Sequence, residues 1–465
     1  MITHDLWLCG SQFGRLSFLR RVDRDSISMI FSAIDAPLAW DSNGGSKLLD
    51  DWLKFHAEGM PISSNQASLE LPFQRWFKIK EAFSPRFIID CVRNAGREVK
   101  HCLDPFGGSG TSALTCQFLG IKPTTIEVNP FLADLIEAKL TKYSLRSLRK
   151  DFDDVMSIAD PQGIRPRLVL KDAPPALVQP GSGNRWIFST GVAQQVLALS
   201  AAIDCIESAS NRRLLRVVLG SILLGVSNVI VNGKGRKYRG SWQNRNCTAR
   251  LVVERFRDRF EEIVIDIQQF GDRACSNYKV VRGDSRDHLS KIESIDLAVF
   301  SPPYPNSFDY TDIYNLELWM LGYLQSKKDN SVLRNRTLRS HVQIKRPFDT
   351  VRNVSPKLDR AYDALVHARQ KLWNRHIPEM VSSYFCDLAS ILVEVHSKLR
   401  KNGRIFIAIG SSKYAGVLID VPGILVELAK LAGLHIVDTA AIRSMRASAQ
   451  QGGRKELSES LIVLA

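Results

Sequence analysis

Ser301-Pro302-Pro303-Tyr304 follows directly on the apolar run Ile295-Asp296-Leu297-Ala298-Val299-Phe300. A buried strand that delivers a polar residue, two prolines and an aromatic makes a rigid ledge at its carboxyl end, where parallel α/β sheets keep their ligand sites. The prolines fix φ and remove two backbone donors, so the carbonyls stay available as acceptors, while Ser301 adds a side-chain acceptor and Tyr304 a flat face. Acceptors beside a stacking surface suit a planar ring bearing an exocyclic amino group. A proline-rich turn with a packed tyrosine reads the same in isolation, so the rest of the chain has to decide.

Upstream, residues 99–111 read VKHCLDPFGGSGT, a short strand running into a glycine-rich turn and a helix opening. Gly107, Gly108 and Gly110 let backbone pass close to a ligand and permit positive φ, and Ser109, Thr111 and Ser112 crowd the helix amino terminus with donors. A second strand over 124–128 carries the acid Glu127, placed to hold ribose hydroxyls. The dinucleotide spacing G-x-G-x-x-G is absent. A third strand, from Tyr278, closes with Gly283-Asp284.

Asp104-Pro105-Phe106-Gly107-Gly108-Ser109-Gly110-Thr111 resembles the D-P-F-x-G-x-G-T motif of methyltransferases that use S-adenosylmethionine. Ser301-Pro302-Pro303-Tyr304 resembles the (D/N/S)-P-P-(Y/F/W) signature of the DNA amino-methyltransferases. The resemblance implies a class I, Rossmann-like α/β fold: seven strands, mostly parallel, ending in an antiparallel hairpin. It implies S-adenosylmethionine as cofactor, with Asp104, Phe106, Gly107, Gly108, Gly110 and Thr111 around its methionine part. Glu127 would take its ribose hydroxyls and Asp284 its adenine amino group. Asp284 reads equally as the cap of a helix starting at Ser285. Phe83, Ser84 and Pro85 resemble the family's amino-terminal motif beside the cofactor carboxylate. Catalysis would fall to Ser301, Pro302, Pro303 and Tyr304, with no metal.

The activity so implied is site-specific methylation of an exocyclic amino group in DNA. Within the family a leading Ser favours cytosine N4 over adenine N6. RNA guanine-N2 or adenine methyltransferases share the cofactor motif and form the runner-up, but no RNA-binding module is evident in residues 1–71. A catalytically idle subunit would be expected to lack Asp104, Glu127 and Asp284, which are all present. No cysteine follows a proline, which argues against cytosine-C5 chemistry. Double-stranded DNA is the implied partner, with room for a cognate restriction nuclease or defence-system partner.

The elements that must position these residues divide the chain into six stretches. Residues 1–70 form an amino-terminal extension, 71–143 the cofactor half, and 144–277 a largely helical insertion and candidate DNA-recognition region. Residues 278–324 form the catalytic half, 325–380 a basic insertion, and 381–465 the rest of the sheet. An insertion before the Gly283-Asp284 strand departs from the usual family arrangement. Helical patterns run over 191–209 and 211–227. Residues 231–245 then interleave basic and aromatic residues without an acid, a composition suited to phosphates and stacked bases. There Lys234, Arg236, Lys237, Tyr238, Arg239, Trp242 and Arg245 are candidate DNA contacts; a solvated basic loop is the bland alternative. Arg334, Arg336, Arg339, Lys345 and Arg346 lie in a second acid-free window, of which Arg334 and Arg336 are taken as DNA contacts. Phe308, Tyr310, Tyr314 and Trp319 could stack on bases, but Tyr314, Leu318 and Leu321 also fit one face of a buried helix.

Composition agrees with this outline. The 465 residues carry a formal charge of +15, from 63 Lys+Arg against 48 Asp+Glu, which favours a polyanionic partner. Eight scattered cysteines without a C-x-x-C pair point to reduced thiols in a cytoplasmic protein rather than disulfides or zinc. No signal pattern or membrane-length apolar stretch is expected from the sequence.

Overall fold

The computed structural model describes residues 45–57, 68–79, 82–232, 235–446 and 456–465. Residues 1–44, which include Cys9 and the amino-terminal stretch without a signal pattern, and Lys234 lie outside the described residues. Seven strands, β1 (His101–Asp104), β2 (Lys122–Glu127), β3 (Lys279–Arg282), β4 (Ile295–Phe300), β5 (Leu399–Gly410), β6 (Ile436–Arg446) and β7 (Glu456–Leu464), form one sheet. Its order is β6-β7-β5-β4-β1-β2-β3. β7 runs antiparallel to both neighbours, and every other pairing is parallel. This is the seven-stranded, mostly parallel sheet with a terminal antiparallel hairpin that the sequence leads one to expect.

Strands covered on both faces read as continuous apolar runs, and β4 is buried at all six positions. Alternate side chains enter opposite layers: Leu297 and Val299 join one hydrophobic core, Ala298 and Phe300 the other. The one acid in this strand, Asp296, is 1% exposed. It is compensated by the backbone N–H groups of Lys100 and His101, at 3.0 and 2.9 Å, and by Arg97 and Arg400, both at 3.1 Å. Asp296 thereby ties the start of β4 to the start of β1.

The first insertion has no separate core. Its helices Thr190–Asp204, Ala209–Leu223 and Ala249–Phe270 contribute side chains to the same hydrophobic cluster as β1 and the helix Pro130–Leu140. At Gly220 a Cβ would stand 2.5 Å from the Phe131 ring, so the second of these helices lies directly on the helix after β2. The 22-residue helix Ala249–Phe270 was not anticipated. Charged residues surround its apolar seam of Val252, Phe256, Phe260, Ile263, Val264, Ile267 and Phe270. Within the basic stretch 231–245, the described residues take part in an antiparallel pair, Val229–Asn232 with Gly235–Tyr238, followed by a short turn of helix at Trp242–Asn244.

Among the described residues no helix is long and apolar enough to cross a membrane. The start of the cofactor half, at Phe73 to Trp76, is fastened to the insertion through Asp266, which is 0% exposed. Its carboxylate accepts from Phe73 N at 2.9 Å, Trp76 Nε1 at 2.9 Å and Arg75 Nη2 at 2.5 Å. Replacing Asp266 by Ala removes the acceptor of four N–H donors from three residues, so Asp266→Ala is expected to lower unfolding stability by about 3 kcal/mol. A urea midpoint equal to the wild type would contradict that role.

Candidate functional site

The carboxyl ends of β1, β2, β3 and β4 open onto one cavity of about 430 Å³. Cofactor and small-ligand sites fall in the range of about 300–1,000 Å³. Both halves identified in the sequence meet in it. Phe83, Phe106, Gly108, Glu127 and Asp284 line one part, and Ser301, Pro302, Pro303 and Tyr304 line the other.

Glu127 ends β2 with its side chain 8% exposed. Its oxygens accept from Gly108 N at 2.7 Å and Asn129 N at 2.8 Å, which clamps the glycine turn to the end of the strand. Burial pushes its carboxyl up to about 7. A buried carboxylate at a cavity wall gains from further donors, and vicinal hydroxyls are suitable ones. Asn129 then caps the helix Pro130–Leu140, accepting from Phe131 N at 3.0 Å.

Asp104, Gly107, Gly110 and Thr111 are not on the cavity wall but support it from behind. Asp104 is 4% exposed; it accepts from Phe106 N at 2.9 Å and Ser112 Oγ at 2.7 Å, and burial pushes it up to about 6. Gly110, at φ 76°, caps the helix Thr111–Phe118. Lys139, wholly buried, donates to the Ser109 carbonyl at 2.7 Å and braces the turn from below. Ser84 and Pro85 are likewise structural here. Ser84 Oγ accepts from Arg86 N at 3.2 Å and bonds His56 Nε2 at 2.8 Å, so only Phe83 of that motif reaches the cavity.

Asp284 follows the end of β3. It lines the cavity and it caps the short helix after β3, accepting from Arg286 N at 3.0 Å. The Arg286 guanidinium grips the same carboxylate, with Nε 3.0 Å from each oxygen, and reaches on to Asp387 at 2.8 Å.

Tyr304 is oriented by its hydroxyl, which donates to Glu459 Oε1 at 2.5 Å. Burial, followed by the nearby carboxylate, pushes the phenol well above its ordinary range. Phe308, Tyr310 and Tyr314 also line the cavity, and Tyr314 is at the same time 7% exposed and packed in the core. Leu318, Trp319 and Leu321 are core residues.

The basic residues separate into two groups. Arg239 donates to the carbonyls of Leu224 and Ser227, Arg245 to that of Gly225, and Trp242 is buried against Trp186 and Tyr238. These hold the hairpin to the end of a helix. Arg236 pairs with Asp312 at 3.3 Å, which brings the hairpin beside the segment that follows Tyr304. Arg334 pairs with buried Asp309 at 2.6 Å, and Arg339 with Asp387 at 2.8 Å. Lys237 is exposed on the hairpin, and Arg336 is exposed at the cavity rim.

Sequence reading missed Glu459, Thr337 and His341, which also face the cavity. His341 is 1% exposed, and burial pushes it down to about 4, leaving a neutral imidazole near neutral pH. Thr337 and His341 arrive from the basic insertion, whose Ser340 carbonyl accepts from Ser307 N at 3.0 Å. Nothing local in that stretch announces a cavity wall. Glu459 lies in the closing strand and is 4% exposed.

At Gly107 a Cβ would stand 2.5 Å from Thr125 Oγ1 and 2.7 Å from Ile136 Cδ1, whereas at Gly108 the nearest atom is 3.7 Å away, with φ at 51°. Gly107→Ala is therefore expected to cost about 2 kcal/mol by overpacking. Gly108→Ala should cost only about 1 kcal/mol, for the left-handed backbone. Urea unfolding of the two variants checks the order, and equal losses would contradict it.

Comparison with known proteins gives full-length relatives. The type II methyltransferase M.AvaI of Nostoc sp. is 25% identical over 450 residues, covering 86% of this chain and 88% of its own. M.BsoBI of Geobacillus stearothermophilus is 22% identical over 455 residues, covering 86% and 87%. M.MjaII of Methanocaldococcus jannaschii is 38% identical over 55 residues, 12% of this chain. No family model matches. Solved structures of the rRNA methyltransferase aviRa from Streptomyces viridochromogenes align over 92% of this chain and 96% of theirs. At 10–11% identity and a TM-score of 0.27 they carry no argument.

Proposed function

We propose that this chain is an S-adenosylmethionine-dependent, site-specific DNA methyltransferase acting on the exocyclic amino group of an extruded base, cytosine N4 ahead of adenine N6. The methyltransferase class rests on the two full-length relatives and on the sheet order. The observation that carries the finer reading is the single cavity shared by Glu127, Asp284 and the Ser301-to-Tyr304 ledge. A methyl donor and a planar amine need that adjacency.

The cavity residues fit the cofactor. Glu127 offers a buried acceptor to ribose hydroxyls, Asp284 an acceptor to an adenine amino group, and Phe83 and Phe106 apolar walls. Asp104 and the Gly107 to Gly110 turn, with Thr111, hold the backbone that faces the methionine part. When bound, the cofactor supplies a methyl group activated on a sulfonium sulfur.

The protein's task is to make the amine nucleophilic, because its lone pair is delocalised into the ring. Ser301 Oγ and the Pro302 carbonyl accept the two amino hydrogens and localise that lone pair. Pro303 keeps the ledge rigid, and the Tyr304 ring supports the base once it has left the duplex. Lys237, Arg336 and Arg236 are the described cations best placed to meet the DNA backbone from the hairpin and the cavity rim. The preference for cytosine comes from the leading Ser, by family resemblance.

The direct test incubates the protein with labelled cofactor and duplex DNA and digests the product to nucleosides. 4-Methylcytosine is the expected product. 6-Methyladenine would reverse the choice of base, and label found only in RNA would overturn the DNA reading.

A further inference from the structure

A hydroxyl serves both as donor and as acceptor, so Ser301 can accept from an amine only while its own proton is engaged elsewhere. The surroundings of Tyr304 supply that condition. Tyr304 donates its hydroxyl proton to Glu459 Oε1 at 2.5 Å. Its oxygen is then open to a donor, and Ser301, three residues earlier on the same ledge, lines the same cavity. Ser301, Tyr304 and Glu459 all line the cavity, and Glu459 is 4% exposed.

The terminus of this chain sets its direction. A carboxylate only accepts, so Tyr304 has to donate to Glu459, and a Ser301 hydroxyl turned towards Tyr304 can only donate to it. The lone pairs of Ser301 Oγ are thereby left towards the cavity. Topology explains how an acid from the last strand reaches the catalytic ledge: β7 is antiparallel, so its first residues stand at the carboxyl edge of the parallel strands. There Glu459 is registered opposite Gly410, the last residue of β5.

We infer that Ser301, Tyr304 and Glu459 form a directional hydrogen-bond relay that presents Ser301 as an acceptor and carries away the proton released by methyl transfer. The inference rests on the amino-methyltransferase reading and extends it. Transfer forms a carbon–nitrogen bond and breaks the carbon–sulfur bond, whose electron pair stays on sulfur, leaving a surplus proton on nitrogen. That proton passes to Ser301 Oγ as the Ser301 proton moves to Tyr304 and the Tyr304 proton to Glu459. The positive charge of the sulfonium and the negative charge of Glu459 disappear together, and no further reactant is required. Within the relay the Tyr304 hydroxyl and Glu459 act on the amine through Ser301 and are positioning groups.

Tyr304→Phe keeps the ring and removes the link; Glu459→Gln keeps the shape and lets an N–H face Tyr304. Both are expected to slow single-turnover methylation about 10²-fold. Cofactor and DNA dissociation constants should stay within about twofold of the wild type. The double variant should be no slower than the slower single one, as expected of groups acting as a unit. Without cofactor or DNA, the urea midpoints of the same set should be non-additive, reporting the Tyr304 to Glu459 bond in the folded protein. Tyr304→Phe at the wild-type rate, or a loss confined to DNA binding, would overturn the relay while leaving the methyltransferase reading intact. A wild-type protein that makes no amino-methylated base would remove both.

Discussion

The structure depends on one topological constraint, the reversal of strand order between β1 and β4. The helix Thr111–Phe118 that follows β1 packs on one face of the sheet, and Ile377–Lys398, which returns from β4 towards β5, packs on the other. Where successive crossovers part to opposite faces, a crevice opens outside the carboxyl ends of the strands. Both sets of chemically competent residues drain into that crevice, although about 200 positions separate the glycine turn from Ser301. Asp296 secures the arrangement from the opposite end of the strands by joining β4 to β1.

Charge is organised by the same folding. The two acid-free windows look like exposed basic strips in the sequence, yet each draws its acids from elsewhere: Asp312 for Arg236, Asp309 for Arg334 and Asp387 for Arg339, the last also pairing with Arg286. The Asp387 carboxylate therefore links the helix under the sheet, the basic insertion and, through Arg286, the Asp284 wall of the cavity. The second insertion is built into that crevice, with Thr337 and His341 as part of its lining.

The strands, their order of chemistry and the ledge were legible because fully covered parallel strands leave apolar runs and because glycine and proline mark the turns between them. Ser301 to Tyr304, Glu127 and Asp284 sit at strand ends, where sequence position and spatial position coincide. The helix Ala249–Phe270 was not legible to the same degree, since its charged face outweighs its apolar seam. Pairings such as Arg334 with Asp309, or Tyr304 with Glu459, span 25 and 155 positions and leave no local pattern. Asp104, Gly107 and Ser84 were read as ligand contacts from their motifs; in the fold they secure the backbone that Phe106, Gly108 and Phe83 present to the cavity.

The central claim is a division of labour within one crevice, with β1 to β3 holding the cofactor and the end of β4 activating the amine. Calorimetric titration of S-adenosylmethionine into Ser301→Ala and Glu127→Ala tests it most directly. The account predicts wild-type affinity for Ser301→Ala and a loss of about tenfold or more for Glu127→Ala, which removes a buried acceptor. Undiminished binding by Glu127→Ala, or its collapse in Ser301→Ala, would contradict it.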